Sequence, residues 1–267
     1  MSNNANILDK GNWHEDIYQY LQTIIPSSPG LAAFDFDNTL VKNDFGEAVM
    51  EAIIADGLER LQEDFASFFP DREKADQIRR QKEISGLRNF IMDHYDALLA
   101  EKGLEQAYRW SSFLFSGWSE NDLKKKSREV WENDTSVFPY KEMQNLIQFL
   151  VHHGWDVMIV TSSPLWIIQE VAGEYGLRPD QVIGMEMELD NSKTTSRIIE
   201  PYPYGQGKVA ALKMRKGKYA DIAFGDSIND YPLLGSAQKK GFLIDKGNDE
   251  LRKKCAELGN FTQPVFL

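Results

Sequence analysis

The chain holds one cysteine, Cys255, so no disulfide can form within it. Cys255 lies in a charged, helix-like segment with no histidine paired to it, and it reads as a bystander thiol. The four histidines, His14, His94, His152 and His153, match no metal-ligand spacing, and no chemistry is assigned to them. No apolar run approaches the length needed to span a membrane. Basic charge is also scarce. The 30 lysines and arginines face 41 aspartates and glutamates, and the net charge of −11 argues against a general nucleic-acid binder. The basic clusters Arg79-Arg80 and Lys124-Lys125-Lys126 are short and lie among acids, as on solvated helix faces. Residues 1–10 are polar and carry no apolar stretch of signal-peptide length. A reducing cytoplasm is the expected compartment.

What the chain does have is organised around Leu31-Ala-Ala-Phe-Asp-Phe-Asp-Asn-Thr-Leu-Val41. Leu31 to Phe34 have the length and bounds of a buried strand, set off by Pro29 and Gly30. Asp35 and Asp37 follow at its carboxyl end, where open α/β sheets bind ligands. In an extended segment, residues two apart point to the same side. Two carboxylates so placed repel unless a cation sits between them or one is protonated. A hard divalent ion with oxygen ligands, such as Mg²⁺, answers that cost. The competing reading is an Asx-rich turn, because Asp, Asn and Thr all favour turns.

Before this stretch, Ile17, Tyr20, Leu21, Ile24 and Ile25 predict an amphipathic helix ending at Pro26. After it, residues 44–135 show helical patterning almost throughout, with stripes at Phe45, Val49, Ile53, Ile54 and at Ile84, Leu87, Ile91, Leu98, Leu99. From Val137 strands and helices alternate. Val157 to Val160 predict a strand ending at Thr161-Ser162-Ser163, and Pro164 opens a helix. Val182-Ile183 predict another strand. Glu186 to Leu189 and Thr194 to Ile199 predict a hairpin turning through Asp190-Asn191-Ser192. Gly205-Gln206-Gly207 leads into a short helix carrying Lys208. Ile222 to Phe224 predict a strand ending in Gly225-Asp226-Ser227. Gly241 to Ile244 predict a last strand, and Asn248 to Leu258 a terminal helix. The expected fold class is α/β: a doubly wound, mostly parallel sheet covered on both faces, with an inserted helical domain.

Three strands thus end in polar residues, Asp35/Asp37, Thr161 and Asp226, and Lys208 follows a glycine-rich turn. All strand carboxyl ends of a parallel sheet lie on one edge, so these groups can converge. Carboxylates for a metal, a hydroxyl and a lysine make a phosphate site. At these residues the chain resembles the haloacid dehalogenase (HAD) superfamily of phosphohydrolases. Asp35-Phe36-Asp37-Asn38-Thr39 is similar to its DxDxT signature, and Thr161 after Val160 to its second motif. Lys208 in Gly207-Lys208-Val209-Ala210 resembles the third-motif lysine, and Gly225-Asp226-Ser227-Ile228-Asn229-Asp230 the GDxxxD signature. The four motifs occur in the family's order. The group most resembled is that of the phosphoserine and phosphorylcholine phosphatases.

The resemblance implies a Rossmann-like core over residues 1–43 and 136–267 and a helical cap over 44–135. It implies a Mg²⁺-dependent phosphomonoesterase acting on a small phosphorylated metabolite. In the roles it carries over, Asp35 is the nucleophile and Asp37 the general acid and base. Asp35, Asp226 and the Asp37 backbone carbonyl hold Mg²⁺. Thr161 and Lys208 hold the phosphoryl oxygens, and Asn229 and Asp230 support the metal water and Lys208. Asp44, nine residues after Asp35, matches a carboxylate that contacts the substrate amine in phosphoserine phosphatases. Arg88 resembles the cap arginine that binds the carboxylate of phosphoserine.

Each residue also has a plainer reading. Thr161 would cap the following helix, with Ser162 or Ser163 as the hydroxyl. Lys208 has a competitor in Lys213. Asp44 would be a helix N-cap, and Arg88 an exposed helical arginine. The aromatic run Tyr108 to Trp118 suits either a cap core or a cage for a quaternary ammonium. The expected partner is a small phosphomonoester, with neither nucleic acid nor membrane. Alternatives on the same fold are a phosphotransferase or mutase, and a non-catalytic phospho-ligand module.

Overall fold

A computed structural model describes residues 6–266; residues 1–5 of the expected polar tail lie outside it. The stripe Ile17, Leu21, Ile25 is buried in α1 (Glu15–Ser27). That helix runs through Pro26 instead of ending there, because a proline in a last turn removes a single bond and its fixed φ is already helical. Then come β1 (Leu31–Phe34) and β2 (Val41–Lys42). Five helices follow: α2 (Phe45–Ala55), α3 (Arg72–Gln81), α4 (Ile84–Lys102), α5 (Leu104–Ser111) and α6 (Glu120–Asn133). Side chains of Asp44, Asp71, Glu83 and Ser119 accept backbone N–H bonds at the starts of α2, α3, α4 and α6. The chain returns through β3 (Phe138–Pro139), which pairs antiparallel with β2, so the two linkers of the helical block run side by side. The Tyr175 hydroxyl donates to the Leu40 carbonyl at 2.8 Å and pins this crossing.

The remainder alternates. α7 (Lys141–His152), β4 (Asp156–Pro164), α8 (Leu165–Val171) and β5 (Val182–Met185) lead to the hairpin β6 (Met187–Asp190) and β7 (Lys193–Ile198). α9 (Gln206–Lys216), β8 (Ile222–Gly225), α10 (Tyr231–Ser236), β9 (Lys240–Asp245), α11 (Asp249–Glu257) and β10 (Phe261–Pro264) complete the chain. The main sheet has the order β10-β9-β8-β1-β4-β5, and every pairing in it is parallel. β1 is central, and the strand order reverses beside it, which is the topology that opens a ligand crevice at the carboxyl edge. Alternate residues feed opposite faces. Phe34, Ile159, Phe224 and Phe242 pack with α1, α7 and the inserted helices. Ala33, Val160, Ala223 and Leu243 pack with α9, α10 and α11. Phe34, Phe224 and Phe242 stack across three neighbouring strands, at 4.6 and 4.4 Å between ring centroids. Among the described residues no helix is long and apolar enough to cross a membrane.

Three local expectations change. β4 continues past Val160 to Pro164, because a register shift against β5 keeps Thr161 to Ser163 extended. Pro164 therefore caps α8 from outside the helix. The hairpin turns on two residues, Asn191 and Ser192, both at positive φ as its tight turn requires. β10 is an edge strand whose sequence carries a proline and little alternation, and periodicity does not reveal it.

The hairpin reaches across to the inserted helices. Gly117 N–H donates to the Thr194 carbonyl at 2.7 Å, and Thr194 N–H to the Trp118 carbonyl at 2.8 Å. Glu63 accepts from Ser196 N–H at 2.9 Å and from the Ser116 hydroxyl at 2.5 Å. Gly117 has φ +82°, and a Cβ there would lie 1.9 Å from the Arg60 carbonyl oxygen. Gly117→Ala is expected to cost about 2 kcal/mol or more. Chemical denaturation checks this: the midpoint should fall at unchanged slope, and an unchanged midpoint would contradict the clash.

Candidate active site

Asp35 leaves β1 with its N–H donated to the Phe224 carbonyl of β8 at 2.9 Å, which fixes its height on the sheet edge. Its Oδ1 accepts from Lys208 Nζ at 2.5 Å, and its Oδ2 from the Thr39 hydroxyl at 3.3 Å. Lys208 is buried, and Asp230 Oδ1 takes the same ammonium at 2.5 Å. Asp230 Oδ2 accepts from the N–H groups of Asp226 and Ser227 and from the Ser227 hydroxyl. Asp230 thus ties the turn after β8 to the lysine. Lys208 can sit this close because of the residue before it: a Cβ on Gly207 would lie 1.8 Å from the Tyr202 carbonyl. Its competitor Lys213 stands on the surface beside the Tyr219 hydroxyl.

Asp37 is held by the inserted helices. Its Oδ1 accepts from Phe45 N–H at 2.7 Å and Gly46 N–H at 3.3 Å, at the amino end of α2. Its Oδ2 accepts from the Ser163 hydroxyl at 2.6 Å. Ser162 donates to the Pro203 carbonyl. Of the three hydroxyls after Val160, Thr161 is the one that accepts: Ser163 N–H donates to its Oγ1 at 3.1 Å, so its own proton can be given to a ligand. Thr161 also lines the cavity.

These groups border a cavity of about 290 Å³, small-molecule in scale. Asp35, Asp37, Thr161, Lys208, Asp226 and Asn229 line it, and so does Asp44. Arg88 does not. It donates to Glu51 at 2.7 and 2.5 Å on the exposed side of α4, so the plainer reading of this residue is the one its contacts support. Asp44 both lines the cavity and caps α2, accepting from Glu47 N–H at 2.8 Å. Most of the aromatic run is insert core: Phe113 and Trp110 pack against Phe68 and Phe69, whereas Tyr108 and Phe115 reach the cavity. Two contributors were missed. The sequence offers Ser163 only as an alternative phosphate-binding hydroxyl, whereas here it bonds Asp37. Lys246 lies just past β9, with its Nζ 2.6 Å from Asp226 Oδ2. The polar end of β9 is the sequence signal for it, since three other strands also end in polar residues at the site.

Burial dominates the electrostatics. It raises the Asp35 carboxyl well above the ordinary range, with Asp230, Asp226 and Asp37 adding to it and Lys208 opposing. Asp37 is raised by burial, against its bonds from Ser163, Phe45 and Gly46. Asp226 is pushed up to about 6, first by burial and then by Asp230, with Lys246 opposing. Burial works to lower Lys208, but Asp230 and Asp35 prevail and raise it, so it stays charged. Cys255 is buried, and its thiol is pushed up to about 11 by burial and nearby carboxylates. It is therefore a poor nucleophile, as expected.

Carboxylate oxygens of Asp35, Asp226 and Asp230 lie within 4.8 Å of one another. Both Asp230 oxygens are engaged by protein donors. Among the described residues, Asp35 Oδ2 and Asp226 Oδ1 meet only the Thr39 hydroxyl, at 3.3 and 3.5 Å. Two hard oxygens with spare lone pairs, in a pocket with excess negative charge, fit Mg²⁺. Because the folded state holds the Asp226 proton more tightly than the unfolded chain, its contribution to stability is present below about pH 4 and lost as pH rises through about 6. A divalent cation held between Asp35 and Asp226 would require the charged form and would offset that loss. The Mg²⁺-induced rise in Tm is therefore expected to be larger at pH 7 than at pH 4.5. Equal rises, in a thermal-shift series against EDTA, would contradict this assignment.

The family model of the haloacid dehalogenase-like hydrolases matches residues 32–235, from β1 into α10. A curated relative, the "Inhibition of morphological differentiation protein" of Streptomyces azureus, is 28% identical over 140 residues. That match covers 50% of this chain and 49% of the relative, so the chain matches about half the relative's length. Among solved structures, a conserved protein of unknown function from Anaerococcus prevotii DSM 20548 superposes with a TM-score of 0.70 at 16% identity, covering 96% of this chain and 93% of that one. A probable phosphoserine phosphatase from Vibrio cholerae superposes with a TM-score of 0.58 at 15% identity, covering 91% and 62%. At these identities the likeness is one of fold, and it agrees with the α/β core. The family match covers well over half the chain and includes all four motifs: this protein belongs to the haloacid dehalogenase-like hydrolases.

Proposed function

We propose that the protein is a Mg²⁺-dependent phosphomonoesterase that hydrolyses a small phosphorylated metabolite through an aspartyl-phosphate on Asp35. The observation that carries this reading is the buried Lys208 ammonium, shared at 2.5 Å by Asp35 and Asp230 in a cavity that also holds Thr161, Asp37 and Asp226. A carboxylate that must approach an anionic phosphoryl group needs its charge offset, and this arrangement supplies the offset from inside the fold.

In this reading an Asp35 oxygen attacks phosphorus in line, and the bond from phosphorus to the ester oxygen breaks. Asp37 delivers a proton to that oxygen. A water then attacks the phosphorus and gives its proton to Asp37. The bond to Asp35 breaks and inorganic phosphate leaves. Thr161 and Lys208 hold the phosphoryl oxygens. Asp230 keeps Lys208 in place, and Asn229 would support the water of a metal held there. Asp35, Asp226 and the Asp37 carbonyl would hold Mg²⁺, which would supply charge neutralisation between carboxylate and phosphate.

The inserted helices, residues 44–135, act as a cap over the core of residues 1–43 and 136–267, excluding water and setting specificity. Asp44 supports an amine-bearing substrate, such as phosphoserine or phosphocholine. The single buried thiol suits a reducing cytoplasm. A phosphotransferase shares every step up to the phosphoenzyme, so an acceptor alcohol belongs in the assay.

Phosphate release from a panel of small phosphomonoesters is expected with Mg²⁺ and lost with EDTA. Asp35→Asn should lower kcat by roughly 10⁴-fold or more with the fold intact. Asp37→Asn should lower it by roughly 10²- to 10⁴-fold at saturating Mg²⁺. Wild-type turnover in Asp35→Asn would sink the mechanism.

A further inference from the structure

We propose that Ser163 is a positioning residue for Asp37: its hydroxyl holds Oδ2 of that carboxylate as the oxygen that passes the proton to the ester oxygen, a role that rests on the phosphatase reading and deepens it. Asp37 presents two unlike oxygens. Oδ1 takes two backbone N–H groups, from Phe45 at 2.7 Å and Gly46 at 3.3 Å. An N–H only donates, so a proton on Oδ1 would have to compete with both. Oδ2 meets the Ser163 hydroxyl at 2.6 Å, and Ser163 is the one side chain that bonds Asp37 among the described residues. A hydroxyl has one proton to give and two lone pairs, so it stays bonded to Oδ2 whether or not that oxygen carries a proton. Oδ2 is therefore the oxygen that can gain and lose a proton, and Ser163 fixes where it lies. Both residues line the cavity.

The serine is itself held. Thr161 Oγ1 accepts from Ser163 N–H at 3.1 Å, in the part of β4 where the register against β5 shifts. On the other side the first turn of α2 comes so close that a Cβ on Gly46 would stand 2.4 Å from Ser163 Oγ. Gly46 lies inside a helix without a positive φ, where glycine is less stable than alanine. The close approach of the hydroxyl, and no backbone requirement, explains the glycine. Gly46 thus serves both oxygens of Asp37, by donating to one and by leaving room for the donor to the other. Ser162, the neighbouring hydroxyl, is committed to the Pro203 carbonyl instead.

The chemical consequence is selective. In the first step the bond from Asp35 to phosphorus forms, the bond from phosphorus to the ester oxygen breaks, and the proton on Asp37 Oδ2 moves to that oxygen. An alkoxide leaves poorly without the proton, whereas a nitrophenolate leaves well without it. Misplacing Oδ2 therefore slows an ester more as its alcohol becomes more basic. A serine that only tied β4 to α2 would, when lost, slow all esters alike.

The test is kcat/KM, which reports the steps up to the phosphoenzyme, at saturating Mg²⁺ for benzyl, phenyl and p-nitrophenyl phosphate. Ser163→Ala is expected to lower it roughly tenfold or more for benzyl phosphate and less than about threefold for p-nitrophenyl phosphate, with phenyl phosphate between them. Gly46→Ala keeps the serine but turns its hydroxyl off Asp37, and the same graded loss is expected. Should Ser163→Ala fail to fold by circular dichroism, Gly46→Ala carries the test. An equal loss for all three esters in Ser163→Ala, or no loss, overturns the positioning role, and so does wild-type grading in Gly46→Ala. Failure of the phosphatase reading looks different: the wild-type protein then releases phosphate from none of the esters, and the role of Ser163 falls with it.

Discussion

The site depends on one buried ammonium among carboxylates. Asp35, Asp37, Asp226 and Asp230 are all nearly inaccessible to solvent and meet at one edge of the sheet, where mutual repulsion would drive them apart. Lys208 bonds two of them directly, and Lys246 reaches a third from the rim. A buried ion pair with every atom engaged is tolerable, whereas the same charges unpaired would be strongly destabilising. Asp230 illustrates the principle: each of its oxygens has a protein donor, so it can anchor the lysine without needing an external cation. Among the described residues, Asp35 and Asp226 each retain an oxygen that meets only a hydroxyl.

The same economy links the inserted helices to the core. Asp37 has one oxygen on the amino end of α2 and the other on Ser163 of β4. The general-acid candidate therefore bridges the two parts of the chain. The insert is also held at a second place, where β7 pairs with the Phe115 to Trp118 loop. A motion of the insert must respect both the paired linkers and this hairpin.

Much of this was legible from the sequence, because the motif residues sit where strand ends and helix starts put them. Asp35, Thr161 and Asp226 follow apolar runs, and a parallel sheet brings such ends to one edge whatever their distance in sequence. Lys208 was separable from Lys213 by its glycine turn. What escaped depended on contacts that no local pattern encodes. The bond from Ser163 to Asp37 spans 126 positions. The partner of Arg88 is Glu51 on a different helix, and helical spacing within α4 says nothing of it. Tyr95 was passed over because the stripe on α4 was read from its apolar positions alone, whereas this ring faces the cavity from the same helix.

The stacked phenyl rings beneath the site carry a consequence of their own. Phe34 immediately precedes Asp35, and Phe224 lies two residues before Asp226. Their rings are nearly coplanar in orientation, 7° apart, and 4.6 Å between centroids. A slip of one residue in either strand would throw its ring to the opposite face of the sheet and break the stack. The rings therefore act as a vernier under the carboxylates: the distance between Asp35 and Asp226 is calibrated by aromatic contact in the dry interior, one layer below the cavity that both residues line.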